Sequence, residues 1–280
     1  MKISTIETGY LKLDGGAMFG IVPKRMWEKL NPPDQNNLCT WAMRCLLIEM
    51  EGRKILFDTG IGDKQDAKFR SHFEPHGADT LLLSLAKKGI SPEGITDVFL
   101  THLHFDHVGG AVKYDAAGNL TPTFPNARYW TNALQYEWAC QPNEKEKASF
   151  LKENFVPLQT AGVLAFIDVA EQDVPWLPGI AIRFVYGHTE AMMLPIIHTE
   201  NQTFIYCADL IPSASHIGMP YVMSYDVRPL NSLQEKKRLL EEAAQHRYVL
   251  IFEHDPRIAA GTVKQNEQGR IVFDEIFPLD

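Results

Sequence analysis

Apolar residues fall in short runs separated by polar turns, a rhythm that predicts many strands and few long helices. Met43 to Glu49 (MRCLLIE) and Lys54 to Phe57 (KILF) predict a hairpin turned at Glu51-Gly52, followed by the polar loop Asp58-Thr59-Gly60. Asp79 to Lys88 predicts a helix capped by Asp79 and ended by Gly89, and Asp97 to Thr101 (DVFLT) a short buried strand. Beyond it the pattern predicts a strand at Ala127 to Trp130, a helix from Asn132 to Cys140 and a charged helix around Glu144 to Glu153. Three apolar strands follow, at Ile180 to Val185, Met193 to His198 and Thr203 to Cys207. Ser232 to Gln245 predicts a strong helix whose apolar stripe is Leu233, Leu239, Leu240 and Ala243 or Ala244. Tyr248 to Phe252 reads as a buried strand, and Ala259 to Lys264 with Arg270 to Phe273 as a hairpin around Asn266 to Gly269. No repeat or linker-like run divides the chain, so 1–280 reads as one α/β domain with helices outside two facing sheets.

Composition narrows the class. With 45% hydrophobic and 22% charged residues the chain is an ordinary globular one, which sets aside disorder and fibres. A net charge of −8 offers no footprint for phosphate backbones, so nucleic acid is not an expected partner. MKISTIETGY has polar residues where a signal peptide needs an apolar core, and no stretch approaches the roughly 18 apolar residues of a membrane span; the expected compartment is the cytoplasm, away from membranes. Cys39, Cys45, Cys140 and Cys207 form no C-x-x-C pair, which fits a reducing compartment and small buried side chains.

The segment Thr101 to Gly110 (THLHFDHVGG) carries the chemistry. It places His102, His104, Asp106 and His107 directly after a predicted strand, a density of imidazole and carboxylate suited to a divalent transition metal. His102 and His104, two apart in an extended stretch, point to one side; Asp106 and His107 can face a second ion once the chain turns, a turn that Gly109 and Gly110 permit. Four ligands do not complete two sites, so further His and Asp are expected at strand ends. His188, Asp209 and His254 each follow a predicted strand, and Asp58 follows another, placed to orient a ligating histidine.

FDTG, HLHFDH, GHT, AD and a late histidine, in that order from about Met43 to His254, resemble the metallo-β-lactamase superfamily. The resemblance implies an αββα sandwich with the active site at one edge of the sheets. It also implies one metal on His102, His104 and His188, a second on Asp106, His107 and His254, and Asp209 bridging. Two such ions, zinc or else iron, manganese or cobalt, make a bridging hydroxide available to attack a lactone or ester, with Asp106 shuttling its proton.

Asp14 to Trp27 and Phe252 to Asp255 look most like the N-acyl homoserine lactonase and methyl parathion hydrolase group. Gly15, Gly16 and Gly20 predict a flexible loop presenting Met18, Phe19 and Trp27 either as an apolar rim for a substrate or as side chains packed in the core or at a homodimer contact; Met219, Tyr221, Met223 and Tyr225 form a second candidate wall with the same alternatives. Two departures stand out. Glu190, Ala191 and Met192 follow GHT where Pro-Gly-His is common, and Pro212 occupies the place of a lactonase tyrosine, for which Tyr221, Tyr225 or His216 are substitutes. The competing readings are an organophosphate triester or thioester hydrolase, an iron-dependent oxidoreductase on the same ligands, and a metal-binding protein without catalysis. His72, His76, His198 and His246 read as structural or solvated.

Overall fold

The computed structural model describes residues 1–279. Its strands are β1 (Lys2–Asp14), β2 (Leu38–Met50), β3 (Arg53–Phe57), β4 (Asp97–Phe99), β5 (Val112–Tyr114), β6 (Leu120–Pro122), β7 (Arg128–Thr131), β8 (Leu164–Phe166), β9 (Val174–Leu177), β10 (Ile180–Val185), β11 (Met192–His198), β12 (Thr203–Tyr206), β13 (Val249–Ile251), β14 (Ala260–Gln265) and β15 (Ile271–Ile276). The helices are α1 (Gly15–Phe19), α2 (Lys24–Trp27), α3 (Ala67–Phe73), α4 (Leu81–Lys87), α5 (Phe105–Val108), α6 (Ala133–Cys140), α7 (Val156–Thr160) and α8 (Pro229–His246). They build two compact units, Met1–Gly9 with Met43–Val169, and Tyr10–Ala42 with Ala170–Leu279.

In the first unit the sheet order is β1-β2-β3-β4-β7-β8, and β5 pairs with β6 apart from it. The β2–β3 hairpin sets Leu46 opposite Phe57 and Met50 opposite Arg53, turning at Gly52 in the left-handed region where a side chain is disfavoured. Leu47, Leu56, Val98 and Tyr129 pack with Leu81 and Leu85 of α4, Ala139 of α6 and Leu158 of α7 in one core. Leu46, Ile48, Phe57 and Phe99, on the other face, are buried too, so these strands read as continuous apolar runs. Because β3 runs parallel to β4, the loops carrying Asp58 and Thr101 to His107 leave the same edge of the sheet.

The second unit's sheet runs β15-β14-β13-β12-β11-β10-β9. β10 and β12 are each antiparallel to β11, and β12 is parallel to β13. All three therefore point one way, and the segments bearing His188, Asp209 and His254 emerge at one rim. Leu239, Leu240 and Ala243 of α8 pack on Leu194, Ile205, Leu250 and Phe252 of that sheet.

Several elements differ from the sequence expectation. β1 is a full strand whose alternation slips at Gly9: Ser4 and Ile6 point inward before it, Gly9 and Leu11 after it. Residues 144–149 form turns and only Lys152–Asn154 makes a single 3-10 turn, in place of the expected charged helix. Asn143 Oδ1 accepts the N–H groups of Lys145 and Glu146, and the buried Glu146 side chain turns the segment inward after one turn. The Gly15 to Gly20 segment is a short helix capped by Asp14, not a flexible loop, and Met18, Phe19 and Trp27 are buried; Ile21 and Met26 are the exposed apolar side chains there. The helix expected from Asp79 begins after Thr80, whose Oγ1 accepts from Leu83 N–H, while Asp79 pairs with Lys87. Cys39, Cys45 and Cys207 are buried and Cys140 half-buried, all as free thiols. Among the described residues no helix is long and apolar enough to cross a membrane.

Candidate metal centre

In the first unit one loop supplies the ligand types and a second orients them. Asp58, held at φ 57° directly after β3, accepts hydrogen bonds from Thr101 N–H (2.8 Å) and Thr101 Oγ1 (2.6 Å) and lies 3.1 Å from His107 Nδ1. A carboxylate only accepts, so Nδ1 of His107 carries the proton and Nε2 the lone pair. Thr101 Oγ1 has spent its hydrogen on Asp58 and therefore accepts from His102 Nδ1 at 3.1 Å. Glu146 Oε1 lies 3.3 Å from His104 Nε2, and its Oε2 accepts from Trp138 Nε1 and Asn143 Nδ2, both at 2.7 Å. That leaves the lone pairs on His102 Nε2 and His104 Nδ1, and these two atoms face each other at 3.1 Å. Two nitrogen lone pairs directed at one point repel unless a cation lies between their directions. Asp106 Oδ2 stands 3.9 Å from His107 Nε2.

Gly109 and Gly110 serve a purpose other than the expected turn. Gly109 has ordinary helical angles, φ −59° and ψ −38°. A Cβ there would strike Ile61 O, and one on Gly110 would strike Thr59 O. The pair lets the ligand loop lie backbone to backbone against the loop after Asp58, where Thr59 N–H and Oγ1 both donate to His107 O.

The second unit repeats the logic. His188 Nδ1 lies 2.9 Å from Asp226 Oδ1, and His254 Nδ1 donates to Ala42 O at 2.7 Å, so each ring presents Nε2. Asp209 stands between them, Oδ2 at 3.0 Å from His188 Nε2 and Oδ1 at 3.0 Å from His254 Nε2. Burial opposes charge on His188, but the carboxylates of Asp209 and Asp226 outweigh it and push the ring up to about 10. The proton so held is the one a cation would displace. Ala208, just before Asp209, is also in the left-handed region, at φ 42°.

Pro212 offers no hydroxyl; its carbonyl accepts from His254 N–H at 2.9 Å. His216 has both ring nitrogens engaged, with Ser213 Oγ (2.7 Å) and Met18 O (2.9 Å), and its ring stacks on Phe19. Burial pushes its pKa down to about 3, so it is neutral. Tyr221 meets Phe19 edge-on and Tyr225 is exposed. His72, His76, His198 and His246 are all exposed, in keeping with the solvated role read from the sequence. Glu146 and Asp226, which orient two of the histidines, were not legible in the sequence. Neither lies near a motif, and no local signal marks them.

Residues 44–254 match the family model described as the metallo-beta-lactamase superfamily, three quarters of the chain. The chain belongs to the metallo-beta-lactamase superfamily. Its expected fold class and its class as a metal-dependent hydrolase both stand. An N-acyl homoserine lactonase of Bacillus cereus is 26% identical over 259 residues, covering 88% of this chain and 90% of its own. A probable metal-dependent hydrolase from Staphylococcus aureus superposes with a TM-score of 0.85 at 26% identity, covering 99% of this superfamily member and 98% of its own chain. AidC, a dizinc quorum-quenching lactonase solved with a product, shares the fold at a TM-score of 0.79 and 21% identity, covering 99% and 95%.

Proposed function

We propose that this protein is a dinuclear, zinc-dependent hydrolase that opens N-acyl homoserine lactones. In this reading His102, His104 and His188 would hold one ion, Asp106, His107 and His254 would hold the other, and Asp209 would serve both. The observation that carries it is Asp209 with an oxygen 3.0 Å from Nε2 of each of two histidines, while Nδ1 of each ring is already committed to an acceptor. Carboxylate and imidazole without thiolate suit zinc in a catalytic site, and the curated relative is itself named a lactonase. Ions held there supply a Lewis acid for the carbonyl and lower the pKa of water towards neutrality. Asp106 takes the proton of the attacking water and delivers it to the alkoxide leaving the ring. Asp58, Thr101 and Glu146 keep the histidine lone pairs aimed, and Tyr225, the exposed aromatic of the 213–226 loop, meets the acyl chain. The reading places the protein in the cytoplasm with a small molecule as its partner.

The test is acid release from a long-chain N-acyl homoserine lactone, followed by pH-stat for the zinc-loaded protein and for Asp209→Asn. We expect rapid release from the first and release at the protein-free rate from the second. No release from the zinc-loaded protein, with phosphotriesters or thioesters cleaved instead, contradicts the lactone assignment.

A further inference from the structure

We infer that Asp226 is a positioning residue for His188, and that the segment from Asp226 to Glu235 is a clamp built to hold that histidine; the inference rests on reading His188 as a metal ligand. His188 sits in the six-residue connection between β10 and β11, residues 186–191. A loop of this kind needs its direction fixed from outside, and one segment provides it. Asp226 Oδ1 faces His188 Nδ1 at 2.9 Å, and Val227 N–H donates to His188 O at 3.2 Å. Arg228 N–H donates to Gly187 O (2.8 Å) and its guanidinium to Tyr186 O (2.8 Å) and to Glu190 Oε2 (2.5 Å). Glu235, on the first turns of α8, accepts from Tyr186 N–H (2.7 Å) and Gly187 N–H (3.0 Å).

The N–H and C=O groups of Tyr186 and Gly187, the carbonyl of His188 and the His188 ring thus all meet that one segment. Gly187 completes the fit, since a Cβ there would strike Ser232 N and Oγ. Asp226 is only 5% exposed, too buried for its carboxylate to be a solvated surface group. Bonding Nδ1 fixes the tautomer and the ring direction together, leaving Nε2 to the ion.

The test uses the full chain, stripped of metal and titrated with zinc against a chromogenic chelator, for the natural sequence and for Asp226→Asn, Asp226→Ala and His188→Ala. Thermal unfolding of each metal-free protein checks the fold. We expect Asp226→Ala to weaken one zinc equivalent by about a hundredfold while the other stays as in the natural sequence. Asp226→Asn, whose amide oxygen still accepts from Nδ1–H, should weaken the same equivalent by only about tenfold. A general loss of structure would instead lower both equivalents. If His188→Ala loses one equivalent while Asp226→Asn binds both like the natural sequence, the positioning role falls and the ligand reading survives. If His188→Ala itself binds both equivalents unchanged, the ligand reading fails and takes this inference with it. Should Asp226→Ala not fold, Asp226→Asn decides alone.

Discussion

Each of five histidines gives one ring nitrogen to a protein acceptor: Thr101 for His102, Glu146 for His104, Asp58 for His107, Asp226 for His188 and the Ala42 carbonyl for His254. The division decides which nitrogen can bind a cation, and it makes Asp58 a sharp test. Asp58→Asn keeps a residue type that tolerates φ 57° but sets an amide N–H against one of three donors. A loss of ~1–3 kcal/mol of stability is expected from denaturant unfolding. A second residue, Lys236, is buried and donates to the carbonyls of His216 (2.8 Å), Gly218 (2.9 Å) and Tyr221 (2.8 Å). Burial lowers its pKa from 10.5 to about 7. Between those two values the unfolded chain binds a proton that the folded one does not, so stability rises with pH across that window and is insensitive to this group below it. Other groups titrate equally in both proteins, so denaturant midpoints of the natural sequence and Lys236→Met at about pH 6 and about pH 9 should show the natural sequence gaining on the variant as pH rises; a difference between them that does not change with pH would refute it. At this scale the candidate ligands stand out in the sequence because they cluster after strands. Glu146 and Asp226 do not: one lies in a charged run that looks solvated, the other in a polar segment before a helix, and only tertiary packing turns each inward.

Strand direction does the gathering one level up. β10, β12 and β13 end at one rim, as β3 and β4 do in the other sheet, so loops far apart in sequence present their polar residues together. The apolar runs behind those loops were readable as strands because they are buried on both faces. What escaped was local: an alternation shifted by Gly9, and helical-looking charge at 144–153 overridden by Asn143 and Glu146. The loop contact at Gly109 yields a prediction here. Gly109→Ala pushes a methyl into the Ile61 backbone, so a destabilisation of ~1–3 kcal/mol is expected, with weaker zinc binding as the His107 loop shifts. Unchanged melting and zinc affinity would show that the close approach does not matter.

For the whole molecule, the residues of the proposed centre are spread along the chain, with His102, His104, Asp106 and His107 in one compact unit and His188, Asp209 and His254 in the other. All seven lie within residues 44–254, the span that the family model matches. Whether two ions act together in the proposed centre is decided by one titration. Metal-free protein receives zinc stepwise while bound zinc and lactone hydrolysis are recorded on the same samples. Two bound equivalents are expected, with full activity arriving only as the second binds. Full activity at one equivalent, or in the metal-free chain, would contradict that.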